Sequence, residues 1–296
     1  MTIPTPSHPL PQQLFSGFIM GTILVAATAI PVNAFNGVCV RACRDNITSF
    51  QAMLSIYRNN ASCPSPHYYL NGMKAHLIKE MARLPMKTLG LTLLKPELER
   101  HFLGKNDRWA AFKAHMIFSS LMSMCEMVVQ PADTLCTMIQ AEQKVTETFG
   151  PISKSLLFRN LYSGALATGF RQLGYWSGYS VLEQTANSFL EKHSKINPHS
   201  DIGIIVKSWP QAVILSAPIH IFHRLKTELQ IKPSLRNKAA EEKKRCYKVV
   251  THEIISSQGL KGLARGFFAK ASGNSFLIMG VSKLLELGRV SLESRK

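Results

Sequence analysis

Pro131-Ala132-Asp133-Thr134-Leu135-Cys136-Thr137-Met138-Ile139-Gln140 follows directly on an apolar stretch of helical length. Pro31 closes another such stretch, and Pro218 closes a third, in Ala217-Pro218-Ile219-His220-Ile221-Phe222-His223. The three prolines stand 100 and 87 residues apart. A prolyl break recurring about once per hundred residues reads as three copies of one unit. A repeat has to be recognised before any fold is assigned, because each unit then buries its apolar face against the next.

The surrounding composition points to a membrane. Of 296 residues, 46% are hydrophobic and only 18% charged, while the formal net charge is +17. Soluble domains usually carry about 25% charged residues. So basic a chain suits either nucleic acid or an anionic lipid surface, and the apolar stretches favour lipid over nucleic acid. The six cysteines, Cys39, Cys43, Cys63, Cys125, Cys136 and Cys246, form no CxxC pair and read as free thiols. Residues 1–12 form a polar, Pro-rich tail without the basic segment of a secretory signal, so any targeting information is expected to be internal.

A bilayer core about 30 Å thick takes roughly 20 helical residues. Six stretches are expected to meet that length, near 13–35, 73–95, 113–135, 165–188, 202–222 and 267–289. Charged residues inside several of them fit helices that enclose a watery cavity. Gly17-x-x-x-Gly21 in the first stretch, and Ser119, Ser120 and Ser123 in the third, would let helix backbones approach closely. Long linkers (36–72, 136–164 and 223–266) alternate with short ones (96–112 and 189–201). The expected fold is therefore all-α, with six transmembrane helices in three pseudo-repeats: 13–106, 107–198 and 199–290, followed by a tail at 291–296. Each long linker ends on a glycine that opens a helix, at Gly72, Gly164 and Gly266. Free N–H groups at such helix starts suit a phosphate headgroup.

Together these features resemble the mitochondrial carrier family. The resemblance rests on Pro131-x-Asp133, on Gln258-Gly259-Leu260-Lys261-Gly262-Leu263-Ala264-Arg265-Gly266, and on Leu285-Glu286-x-x-Arg289. It extends over roughly residues 13 to 290. It implies tilted helices around a pseudo-threefold axis, kinked at Pro31, Pro131 and Pro218. It also implies cardiolipin at Gly72, Gly164 and Gly266, a monomer, and alternating access to a central site. The family pattern puts an acid two residues after each proline and a base five after. Here those positions hold Asn33/Asn36, Asp133/Cys136 and His220/His223. Asp133–His223 is then the one inter-repeat ion pair left at that gate. Lys226-Thr227-Glu228-Leu229-Gln230 offers a second register, three residues later. The opposite gate would hold Thr92/Lys95, Gln184/Asn187 and Glu286/Arg289, with Glu286–Lys95 as its cross-repeat pair. Gates built mostly of amides should open more easily than gates built of ion pairs.

Lys79, Arg83 and Lys87 are spaced i, i+4, i+8, so they share one helix face. Facing lipid, each would cost about 2.5–3.5 kcal/mol, so that face is expected to line the cavity. The fourth stretch adds Arg171-Gln172 and Tyr175. The sixth offers Gly273-Asn274 and looks electrically neutral. The substrate should therefore be an anion. By the resemblance, Arg171-Gln172 suits a di- or ketocarboxylate, whereas the number of cations, with Tyr175 to stack on a base, suits a nucleotide such as ATP or ADP. The sequence alone leans to the nucleotide. Glu126 shares a face with Asp133 and reads as a counter-charge to the basic cluster or as a proton carrier. No enzyme motif, metal-ligand set or cofactor motif emerges; His220 and His223 read as gate or structural residues. The competing readings are a degenerate carrier that docks other proteins at the membrane, and a soluble helical RNA-binding protein. The resemblance also admits a carrier secreted by a bacterial pathogen into host mitochondria, with the polar tail Ser291–Lys296 compatible with a secretion signal.

Overall fold

A computed structural model describes residues 10–59, 72–89, 110–143, 154–194, 196–232 and 240–293, together with Leu94, Glu97, Leu98, His101 and Phe102. Every extended element among them is helical, and no strand occurs among the described residues. In chain order the helices are α1 (Leu10–Arg44), α2 (Ser49–Asn59), α3 (Met73–Leu89), α4 (Ala110–Val128), α5 (Gln130–Gln140), α6 (Lys154–Leu161), α7 (Ala165–His193), α8 (Asp201–Ile231), α9 (Ala240–Gln258), α10 (Leu260–Leu263) and α11 (Phe267–Glu293).

One pattern occurs three times. A long helix (α1, α4–α5 or α8) is followed by a linker helix outside the ring (α2, α6, or α9 with α10), a glycine, and a second ring helix (α3, α7 or α11). The long helices close a ring: α1 packs on α3, α3 on α4 and α5, α4 on α7, α7 on α8, α8 on α11, and α11 on α1. At one end α1, α5 and α8 also touch one another. Pro131 interrupts the chain between α4 and α5, in the first turn of α5, where its missing N–H has no intrahelical partner to lose. Pro31 and Pro218 lie inside α1 and α8, which continue through them.

The glycines set the spacing between repeats. Gly72, Gly164 and Gly266 have φ of +78°, +80° and +80°, a left-handed conformation that costs other residues about 1–2 kcal/mol. Each carbonyl accepts a first bond of the next helix, from His76, Thr168 and Lys270. Each glycine also lies against the long helix of the following repeat. A Cβ at Gly72 would come 3.5 Å from the Cys136 carbonyl, at Gly164 3.3 Å from the Lys226 Cα, and at Gly266 3.0 Å from the Cys39 carbonyl. Cys39, Cys136 and Lys226 therefore occupy equivalent places. Gly266→Ala combines positive φ with a Cβ only 2.8 Å from the Cys39 Sγ. It is expected to cost about 2 kcal/mol or more, and to lower the melting midpoint of the purified protein in detergent by several degrees. An unchanged midpoint would contradict that packing.

Beside an apolar core, several charged side chains are buried and many large apolar ones are exposed, a combination uncommon in water-soluble proteins. Lys79, Arg83, Arg171, Arg224 and Lys226 are buried, while Ile78, Met124, Val181, Phe189, Ile202 and Ile214 are more than half exposed. On α3 the two faces divide cleanly, with His76, Lys79, Glu80 and Arg83 inside and Leu77, Ile78 and Met81 outside. Such mixed helices score poorly on hydropathy. Among the described residues only Asp201–Ile231 is long and apolar enough by itself to cross a membrane.

Candidate functional site

The interior of the ring holds a buried cluster of charges, level with the second turn of α7, where Arg171 stands. From α3, Lys79 Nζ lies 3.4 Å from Asp133 Oδ1 and 3.8 Å from Glu80 Oε1. Arg83 bonds Glu80 Oε1 at 2.7 Å and approaches Glu126 Oε2 at 2.5 Å. Glu126 therefore stands against the basic cluster as a counter-charge. From α8, Lys226 forms an ion pair with Asp133. From α7, Arg171 Nη1 meets His223 Nδ1 at 3.2 Å. From α11, Lys270 donates to Asn36 Oδ1 at 2.9 Å.

Two expectations are corrected here. Asp133 pairs with Lys226, not with His223, because the glycine packing places Lys226, rather than His223, opposite the repeat-two break. The later of the two registers in α8 is the one adopted. The α11 wall is also not neutral: Gly273 and Asn274 are uncharged, but Lys270 lies one turn nearer the glycine. Counted from the glycines, Gly273 is the equivalent of Lys79 and Arg171, each seven residues on, so the repeat register does not point to Lys270, which stands one turn nearer Gly266.

With the repeats aligned on Cys39, Cys136 and Lys226, the positions three residues earlier are Asn36, Asp133 and His223. Each faces one cation from the second long helix of the preceding repeat. Lys270 faces Asn36, Lys79 faces Asp133, and Arg171 faces His223. Only one of these three partners is an acid.

On the side of α5 and the C-terminal end of α8, the ring is closed. Val40, Ala141 and Ile231 pack together there. Polar ties surround them: Gln140 donates to Asn33 Oδ1 at 3.0 Å, Gln143 to the Ile231 carbonyl at 2.5 Å, and Gln230 to Thr134 Oγ1 at 2.9 Å. Arg41 and Arg44 reach Glu142 at 3.1 and 2.9 Å. Hydrogen bonding to Asp45, then to Glu142, holds the Arg44 guanidinium above its ordinary pKa. Cys136 lies against Gly72, its Sγ 3.9 Å from the glycine carbonyl. His220 meets the Arg265 carbonyl through Nε2 at 2.8 Å, at the foot of α11 rather than opposite an acid.

On the other side of the charges lies an aromatic layer. Tyr175 stacks parallel to Tyr179, with centroids 6.3 Å apart, and meets Trp176 edge-on. All three are buried with Phe118, Leu215, Ile219 and Ile278, so the Tyr175 ring is already occupied by protein neighbours. Asn274 donates to Ser216 Oγ at 2.9 Å, and Gln172 is half-buried. Beyond this layer Lys207 Nζ bonds Glu183 Oε1 at 2.6 Å and Asn187 Oδ1 at 2.7 Å. Glu183 and Lys207 were not singled out from the sequence. Gln184, expected at this level, points outward and is exposed, because Glu183 rather than Gln184 continues the inward stripe Arg171-Tyr175-Tyr179. The side chains of Lys87, Lys95, Glu286 and Arg289 lie outside the described residues.

No group of three or more His, Cys, Asp or Glu side chains that could hold a metal occurs among the described residues. No family model matches the chain, and no curated protein matches it significantly.

Proposed function

We propose that the protein is a membrane-embedded solute carrier that moves an anionic metabolite by alternating access, with six helices spanning the bilayer. The resemblance of its motifs to mitochondrial carriers supports the mitochondrial inner membrane as that membrane. One observation carries the proposal: cations are buried inside a ring whose outer face is apolar. In water that arrangement is unfavourable on both faces. In lipid it is the low-energy one, because apolar side chains meet acyl chains and charges gather round an interior. An exposed apolar surface of this kind marks a membrane or another macromolecule.

Closure at Val40, Ala141 and Ile231 corresponds to one gate shut, with Asp133–Lys226 as its inter-repeat ion pair. Glu183–Lys207 supplies the equivalent tie on the far side of the charges. Exchange between two states would break one set while making the other, so transport rate should respond to both. The cations of α3, α7 and α11 would draw in the anion by long-range attraction and hold it by charge-assisted hydrogen bonds.

Reconstitution of the full chain into liposomes preloaded with unlabelled anions tests this directly. Uptake of at least one labelled anion, abolished when the liposomes lack protein, is expected. Folded, inserted protein that takes up no anion would overturn the carrier reading and leave a membrane docking protein in its place. Glu183→Gln removes the far tie while sparing the central cations. It is expected to change the exchange rate several-fold with little change in half-saturating concentration, since a lost ion pair at a gate lowers one barrier. A large affinity loss at unchanged rate would move Glu183 from the gate to the binding site.

A further inference from the structure

At the closed end of the ring the seams between repeats are held unequally. The ion pair Asp133–Lys226 joins α5 to α8. Counted from Cys39, Cys136 and Lys226, the equivalent positions at the α1–α5 seam are Asn36 and Cys136, an amide and a thiol. They cannot form an ion pair. On that seam the opposed charges lie further out, at the helix ends.

Arg41 and Arg44, in the last turn of α1, converge on Glu142, just past the end of α5. Arg41 Nη1 lies 3.1 Å from Glu142 Oε1 and Arg44 Nη1 2.9 Å from Oε2, so each carboxylate oxygen takes one guanidinium. Arg44 Nη1 also donates to the Ala141 carbonyl at 2.8 Å, where α5 ends. Asp45 holds both arginines from the α1 side, 3.4 Å from Arg41 Nε and 2.7 Å from Arg44 Nε. Charge-assisted contacts in such a network hold better than lone surface pairs. The backbone adds a second sign. Glu142 has φ of +60°, and Gln143 N–H donates back to the Met138 carbonyl at 3.0 Å. Glycine or asparagine is usual at that place in a helix end, and a glutamate there is strained. Strain persists where the surroundings fix it, and two arginines do so here.

The arrangement belongs to this seam alone. The residues equivalent to Arg41, Arg44 and Glu142 are Met138, Ala141 and Lys232 at the α5–α8 seam, and Glu228, Ile231 and Asp45 at the α8–α1 seam. Neither set sets a base against an acid. We propose that Arg41, Arg44 and Glu142 form an ionic latch that holds α1 to α5 across the closed end, in place of the ion pair that Asn36 and Cys136 cannot make. The inference rests on the carrier reading for why this end should open at all. The side chains of Asp133 and Lys226 are 6% and 2% exposed, whereas those of Arg44 and Glu142 are 24% and 32% exposed. Salt therefore screens the latch far more than the buried pair, and closure becomes sensitive to ionic strength on that face.

Cys136 reports on this end, being 2% exposed and one turn from Asp133. In the detergent-solubilised full chain, its alkylation by uncharged N-ethylmaleimide is followed by mass spectrometry of the peptide that holds it. Thermal midpoint and anion uptake into liposomes are measured beside it. Glu142→Asn removes the charge and suits the left-handed backbone, so the midpoint should change little. Cys136 labelling should rise about threefold or more. Between about 0.01 and about 1 M salt, labelling of the parent should climb toward that of the variant, and the variant should respond little. Arg44→Gln should act in the same direction, and adding it to Glu142→Asn should give little further increase. Unchanged labelling in both variants, or a salt response in Glu142→Asn equal to that of the parent, would overturn the latch even with anion uptake intact. Faster labelling that merely tracks a collapsed midpoint in both variants would make the contacts structural and overturn it too. Labelling and salt responses as expected, with no anion taken up by folded protein, would overturn the carrier reading and leave the latch on a ring that opens for another purpose.

Discussion

Arg171→Ala is expected to abolish anion uptake while leaving the protein inserted and folded. Arg171 is buried inside the ring, and its described side-chain partner is the imidazole of His223 at 3.2 Å. Among the described residues, deleting it removes no ion pair, so the fold loses an unfavourable buried charge along with one neutral contact. The ligand, by contrast, loses a bidentate donor. Charged hydrogen bonds contribute about 1.5–3 kcal/mol each, and two from one guanidinium amount to several orders of magnitude in occupancy at fixed concentration. Arg171→Lys should recover part of the uptake, because a point charge replaces half of the fork. The measurement is uptake into liposomes beside the thermal midpoint. Loss of uptake with a midpoint equal to or above that of the parent is the expected pair of results. Full uptake would mean that the cargo never meets α7.

Asp133→Asn is expected to be the most destabilising single change in the interior. Asp133 forms an ion pair with Lys226 and lies 3.4 Å from Lys79, so one carboxylate serves two buried ammonium groups. Breaking a buried ion pair by removing one partner costs about 3–5 kcal/mol, because the other charge is left without compensation. Here two ammonium groups lose that carboxylate, and Lys79 is left with Glu80 at 3.8 Å. Lys226→Met should cost distinctly less, since Asp133 keeps Lys79 and the methionine fills similar space. The asymmetry can be read from urea or thermal unfolding of the two variants in the same detergent. Equal losses would show that Lys79 does not share the carboxylate. The same pair ties α5 to α8, so Lys226→Met should also speed exchange, whereas Asp133→Asn should lower the amount of folded protein.

The all-helical class was legible in the sequence because apolar stretches of helical length recur with glycine and proline between them. Register was harder. Proline kinks a helix but does not fix which residue faces the next repeat, and in α1 and α8 the proline lies three residues earlier than in α5, relative to the glycine contacts at Cys39, Cys136 and Lys226. That slip made His223 the expected ion-pair partner and left Lys226 to the second, later register. Lys270 has a different cause: Gly273 and Asn274 stand at the place equivalent to Arg171 and Gln172, seven and eight residues after the glycine, and the cation of α11 lies one turn off that register. The placement of Arg171 on an inward stripe could be read from its i, i+4 relation to Tyr175. That Tyr175 is packed among aromatic neighbours depends on Phe118 and Ile278 from other helices, and no local pattern reveals it. Glu183 carries no local signal of its inward position, which its contacts with Lys207 and Gln211 reveal.

The account depends on an apolar outer face turned to lipid and a charged interior turned away from it. Quenching of tryptophan fluorescence by lipids brominated along their acyl chains measures this most directly, in liposome-reconstituted variants that each retain one tryptophan of Trp109, Trp176 and Trp209. Trp209 is half exposed on the outer face of α8, and Trp176 is buried among Phe118 and Tyr175. Strong quenching of Trp209 with little quenching of Trp176 is the result expected. Two equally quenched tryptophans, or a Trp209 that acyl-chain bromine does not reach, would contradict it.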